Sequence, residues 1–171
     1  MGENIDANER ARILAVPSTS PTVTLAVILV HPAVSFELYI ERLRALISAA
    51  VDISRTVNFD EDSTVAIDSL PEWFRNMSDV IAGEGASSYS NAGLGDPWDP
   101  EEWIYCFDPD LRAWAWCYVT VREDGVAVWV DTLGESHVPH DELLWALYVS
   151  GAESVDPLYM EDATVWENES H

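Results

Sequence analysis

From Glu102 to Thr132 the chain reads EWIYCFDPDLRAWAWCYVTVREDGVAVWVDT, and apolar and polar positions alternate through most of it. A period of two predicts strands, because successive side chains of an extended chain point to opposite faces. Trp103, Tyr105 and Phe107 alternate with Ile104 and Cys106, which predicts a first strand. Asp108-Pro109-Asp110 breaks it, since proline lacks a ladder donor and favours turns. The alternation resumes from Ala113 to Val121, with Trp114, Trp116, Tyr118 and Thr120 on one face and Ala115, Cys117, Val119 and Val121 on the other.

Asp124-Gly125 suits a two-residue type I′ turn, whose central positions need positive φ. That turn sets Val121 opposite Val128, Val119 opposite Val130, Thr120 opposite Trp129 and Tyr118 opposite Asp131. The aliphatic face is expected to be core. The aromatic face is either a second core layer or a docking surface, and core is favoured because exposed aromatic patches are uncommon.

Outside this meander the apolar spacing predicts three helices, at about residues 35–51, 70–82 and 139–150. In the first, Phe36, Tyr39, Ile40, Leu43, Ile47 and Ala50 form one stripe behind a Ser35 cap. The second follows a Ser69-x-x-Glu72 capping box and stops at Gly83. The third is apolar nearly all round and ends at Gly151. Val23–Val30 is a β-branched run and predicts a buried strand; Thr64–Ile67 predicts a shorter one. Residues 83–100 (GEGASSYSNAGLGDPWDP) predict a long loop, residues 17–21 a short one, and residues 10–16 an ordered segment of undefined type. Residues 1–8 and 160–171 are expected to fray. The expectation is a single acidic α+β domain spanning 1–171, a meander at about 102–132 packed with three helices.

Composition sharpens this picture through charge. The chain has 171 residues, 48% hydrophobic and 23% charged, with a formal net charge of −23. Every basic residue is arginine. Residues 1–55 carry six acids and five arginines, whereas residues 56–171 carry 25 acids and only Arg75, Arg112 and Arg122. Such a field repels nucleic acid and anionic membrane and attracts basic proteins. No stretch reaches the roughly 20 apolar residues that a membrane-spanning helix needs. Two cysteines, Cys106 and Cys117, are too few for a disulfide framework and fit a reduced, cytoplasmic protein, although the predicted hairpin would let them approach.

The candidate chemistry is thin. Glu135, His137, His140 and Asp141 form the best metal candidate, but Pro139 interrupts the local helix that would align them, and no metal is expected. Residues 60–64 begin like a calcium loop and then place Val65 and Pro71 where glycine and glutamate are needed. The glycines at 83–95 lack any basic neighbour for phosphate. Neither cysteine has a sequence neighbour that would lower its thiol pKa, and no nucleophile elbow occurs. No catalytic residue and no cofactor are expected.

What remains is an acidic protein-binding inhibitor, of the immunity type that neutralises a basic nuclease-like toxin, with contacts at Asp96, Trp98, Asp99, Glu101, Glu102, Asp108 and Asp110. The alternatives are a DNA-mimicking phage or plasmid protein, or a structural subunit that self-associates, for instance as a homodimer.

Overall fold

A computed structural model describes residues 2–17, 20–61 and 64–170, with side chains from residue 8 onward. The expected loop at 17–21 and the acidic run at 60–64 fall partly outside these residues. The fold is α+β, with seven helices and an antiparallel sheet among the described residues. Strands β1 (Thr24–Pro32), β2 (Ala115–Arg122), β3 (Gly125–Asp131), β4 (Ala152–Val155) and β5 (Tyr159–Asp162) make a sheet of order β2-β3-β1-β4, with β5 also pairing β1. β4 pairs with β1 at Val30–Pro32 and β5 pairs with it at Thr24–Val27. The two therefore form one edge strand, interrupted at residues 156–158, where Pro157 cannot donate to a ladder.

β1 is buried through most of its length, as the run of Val23–Val30 predicts, and it lies in the interior of the sheet. Its inner face (Ala26, Ile28, Val30) joins Val126, Val128 and Val130 of β3 in the main core. The helices α2 (Phe36–Ser54), α3 (Glu72–Met77), α4 (Glu84–Asn91), α5 (Pro100–Tyr105) and α6 (Asp141–Val149) contribute to that core. The opposite face buries Leu25, Val27, Ala127 and Trp129 beneath Ala163 and Trp166 of α7 (Ala163–Ser170).

The helix at 35–51 forms as α2, and the Ser35 hydroxyl accepts the Leu38 N–H at 3.3 Å. The helix at 139–150 forms as α6, buried nearly all round, and Gly151 after it takes a φ of +116°. The 70–82 helix is shorter than expected. Leu70 precedes a proline and is held extended (φ −72°, ψ 148°), so α3 starts only at Glu72 and the Ser69–Glu72 box does not form. At its far end the Asp79 carboxylate takes the Ile81 and Ala82 N–H groups at 2.9 and 2.8 Å, which turns the chain out of the helix. The strand expected at 64–67 is absent: residues 64–66 are irregular and Ile67–Ser69 is a 3-10 turn.

Three further expectations are corrected. The first strand of the meander is helix α5. Asp99 caps it, accepting the Glu101 and Glu102 N–H groups at 2.9 and 3.4 Å, and Pro100 sits in its first turn. Trp103 and Phe107, four residues apart, pack edge to face at 4.8 Å. The expected loop at 83–100 contains α4, which forms because Gly85 lets it approach α6; a Cβ there would lie 2.6 Å from the Val149 α-carbon. At the termini, α1 (Gly2–Leu14) stands where a loose tail and an untyped segment are expected, and β5 and α7 fill residues 159–170. α1 has no apolar stripe to announce it, and α7 announces itself only through Trp166.

The β2–β3 hairpin also turns one residue earlier than expected. Arg122 pairs with Gly125 across Glu123-Asp124, so Val121 faces Val126 and Thr120 faces Ala127. Leu133 has the sole positive φ among described non-glycine residues, so neither turn residue is left-handed. Gly125 is required for another reason: a Cβ on it would collide with the Val30 carbonyl of β1. A register shift between Trp116 and Tyr118 then sends Trp116 to the main core and leaves Tyr118 opposite Trp129 on the α7 face. Trp114, Trp116 and Trp129 are all fully buried. The aromatic residues thus serve as core on both faces.

Candidate functional site: the acidic surface around α5

The seven candidate residues fall in two groups at opposite ends of α5. Asp96 is exposed in the loop after α4, and Asp99, Glu101 and Glu102 are exposed at the start of α5. Asp108 and Asp110 follow its other end, about 9 Å of helix axis away at 1.5 Å per residue. The structure gathers the first group but does not place Asp108 and Asp110 within it.

Two of the seven already hold the fold. Asp99 caps α5, and the Asp108 carboxylate accepts the Asp110 N–H at 3.0 Å to close the following turn. Trp98 is not a free aromatic anchor. It is half-buried against the core, and its indole N–H donates to the Tyr89 hydroxyl at 3.1 Å. The apolar side chains that do reach solvent beside the two acidic groups are Leu94, 39% exposed, and Leu111, 78% exposed.

The arginines explain why these carboxylates stand uncompensated. Arg12 donates to the Trp116 carbonyl at 2.8 Å, and Arg44 donates twice to the Ile13 carbonyl, at 2.9 and 2.7 Å. Arg42 lies over the Trp73 ring at 5.5 Å. Arg112 is buried in an ion pair with Glu9 and packs on Phe107 and Trp114. Arg122 joins Glu169 at 3.0 Å and the Tyr159 hydroxyl at 2.7 Å. Among the described residues the remaining ion pairs are Arg10–Asp52, His31–Asp156 and Arg75–Asp68. None of the ion pairs includes a candidate residue. Most of the positive charge is therefore spent on packing, and the surface is more acidic than an even mixture would be.

Sequence patterns do not reveal the buried polar network that accompanies this. Glu9 and Glu142 are both buried; Glu9 also accepts the Trp116 N–H at 2.6 Å. Glu142 accepts the Trp114 indole N–H at 2.6 Å, and its backbone carbonyl accepts that of Trp103 at 2.9 Å. Burial pushes the Glu142 carboxyl above the usual glutamate range, against the opposing pull of its hydrogen bonds and of Arg112. Glutamate ordinarily reads as surface, so nothing local in the sequence distinguishes these two. The one usable signal concerns Glu142, which with Asp141 opens an otherwise apolar helix.

Groups suited to covalent or metal chemistry do not converge. Cys106 is half-buried at the end of α5, and desolvation, then the charges of Glu142, Asp141 and Glu102, push its thiol up to about 11. Desolvation pushes Cys117 up to about 12. Both are free thiols, and Cys106 lies in a helix end instead of the neighbouring strand that pairing would need. Thiols so far from ionisation are poor nucleophiles at neutral pH. His137 is exposed and His140 bonds the Val138 carbonyl at 2.7 Å through Nδ1. Among the described residues no three His, Cys, Asp or Glu side chains are grouped to hold a metal ion. No helix among them is long and apolar enough to cross a membrane.

No protein-family model, curated protein or solved structure matches this chain.

Proposed function

We propose that this protein is an acidic inhibitor of the immunity type, which binds a basic nuclease-like toxin and occupies its nucleic-acid groove with the carboxylates around α5. The observation that carries this reading is the separation of charge. Most arginines are drawn into packing, while Asp96, Asp99, Glu101 and Glu102 stand exposed on one short segment, outside every ion pair among the described residues. A surface of one sign accelerates encounter with the opposite sign and sets orientation on docking. Leu94 and Leu111 supply the apolar contacts at its margins, in the place expected of Trp98.

The test replaces Asp96 and Asp99 with Asn and Glu101 and Glu102 with Gln. Asparagine at 99 preserves the helix cap. Wild type and variant are immobilised, challenged with host lysate at low salt, and eluted by a salt gradient. The expected result is one dominant basic protein on the wild type, whose nuclease activity the free chain inhibits. The variant should bind it more weakly by about 2–5 kcal/mol, the range for desolvated interfacial charges. Equal retention on both surfaces, or a retained protein that the chain does not inhibit, would overturn the proposal.

A further inference from the structure

The outer edge of β5 has an open rung. Ala163 N–H donates to the Val23 carbonyl at 3.0 Å, and Asp162, Glu161, Met160 and Tyr159 face Thr24, Leu25, Ala26 and Val27 in turn. In an antiparallel ladder the backbone groups of alternate residues point the same way. Tyr159 and Glu161 therefore bond β1, while Met160 and Asp162 direct their N–H and C=O groups away from the sheet. Asp162 N–H is taken by the Glu161 carboxylate at 3.1 Å. Met160 N–H has no partner among the described residues, and the residue is 45% exposed.

A groove of about 470 Å³ runs beside this rung, between residues 136–140 and residues 157–160. Val138, Leu158 and Met160 give it an apolar lining. Asp156, in the interruption between β4 and β5, meets His31, and Glu161, on β5, faces Leu25 of the α7-covered face. The one arginine that reaches β5, Arg122 at the Tyr159 hydroxyl, is paired with Glu169. No lysine or arginine follows Arg122 in the chain.

We propose that β5 and this groove receive an extended cationic peptide segment, added to the sheet as a further strand. Strand addition takes its affinity from main-chain bonds and its specificity from alternate side chains. On one side the alternation places apolar side chains over Met160 and Leu158; on the other it places arginine or lysine against Glu161 and Asp156. As an arginine draws the Glu161 carboxylate, Asp162 N–H is released as a second rung. The site is separate from the α5 surface and stands or falls independently of the function proposed there.

The test titrates the full chain with an acetylated nine-residue peptide alternating arginine and valine, read by fluorescence anisotropy at low salt. A second peptide is N-methylated at the valines, whose amides would face Met160; it keeps its charge and loses its ladder donors. A Met160→Pro variant removes the outward N–H and leaves the bonds to β1 intact, as proline is tolerated on an edge in that orientation. The parent peptide should bind wild type, and both changes should weaken it at least tenfold, with slower amide exchange at Met160 in the complex. Binding of the methylated peptide within twofold of the parent would reduce the effect to charge and overturn the proposal. So would no binding of the parent at all. Because the peptide comparison uses the wild-type chain, it decides the matter even where Met160→Pro unfolds the protein.

Discussion

Along the β2 edge the open backbone of Trp116 is met from outside by two charged side chains of α1: Glu9 accepts its N–H at 2.6 Å and Arg12 donates to its carbonyl at 2.8 Å. Along the β4–β5 edge the covers are local and partial: Pro157 without a donor and the Glu161 carboxylate on its own neighbour. An uncovered edge is a template for pairing with another chain, and proteins manage it by such devices. The two solutions differ in what they demand. The β2 seal draws on residues more than a hundred positions away and buries an ion pair, so it is tight and depends on every member. The β5 cover is assembled from nearby residues, depends on little, and leaves Met160 open.

The comparison is broken most severely at Glu9. Glu9→Ala strands the buried Arg112 guanidinium and the Trp116 N–H together, because Glu9 is fully buried and Arg112 is 5% exposed. Removing one partner of a buried pair costs about 3–5 kcal/mol. Urea unfolding of the variant should show that loss with an unchanged slope; a loss below about 1 kcal/mol would mean that α1 does not seal the edge. Glu161→Ala makes the matching change on the other edge and deletes only the carboxylate that meets the Asp162 N–H. A single hydrogen bond contributes about 1 kcal/mol, so the expected cost is several times smaller, together with faster amide exchange at Asp162. Equal costs for the two variants would refute the contrast between the edges.

The finest test uses pH at Glu142, which lies beside Arg112 and bonds Trp114. Burial raises its folded pKa above the unfolded value. Its contribution to stability is therefore full below the unfolded pKa and is lost as pH rises through the folded pKa. Glu142→Gln keeps an acceptor for Trp114 and cannot ionise. The variant should gain on wild type as pH climbs through and above the glutamate range, in unfolding midpoints measured side by side. Parallel pH profiles would show that Glu142 is not held in its raised state by the fold.

Much of the frame is legible from local pattern. Ser35 and the stripe behind it specify α2, the β-branched run specifies β1, and the apolar segment before Gly151 specifies α6. α5 is harder: Trp103, Tyr105 and Phe107 satisfy a period of two, yet Trp103 and Phe107 also satisfy a spacing of four. Asp99-Pro100-Glu101-Glu102 is the readable signal that resolves it, an N-cap followed by proline and acids in the first turn. The hairpin shows the opposite situation. Asp124-Gly125 is a fair turn signal, but Gly125 answers to the Val30 carbonyl on a strand nearly a hundred residues earlier.

For the candidate site, the order of residues is enough to establish that the chain is acidic, that its acids concentrate after residue 56, and that Asp96, Asp99, Glu101 and Glu102 lie together. Those are properties of composition and adjacency. Packing between distant elements draws most arginines half-buried against the body of the protein, bonds Trp98 to Tyr89, and seals one sheet edge while the other retains an open rung. Each depends on which distant groups meet, since a buried arginine needs its carboxylate or carbonyl partner and an edge amide needs whatever element lies over it. Such partners are chosen by packing across the whole chain.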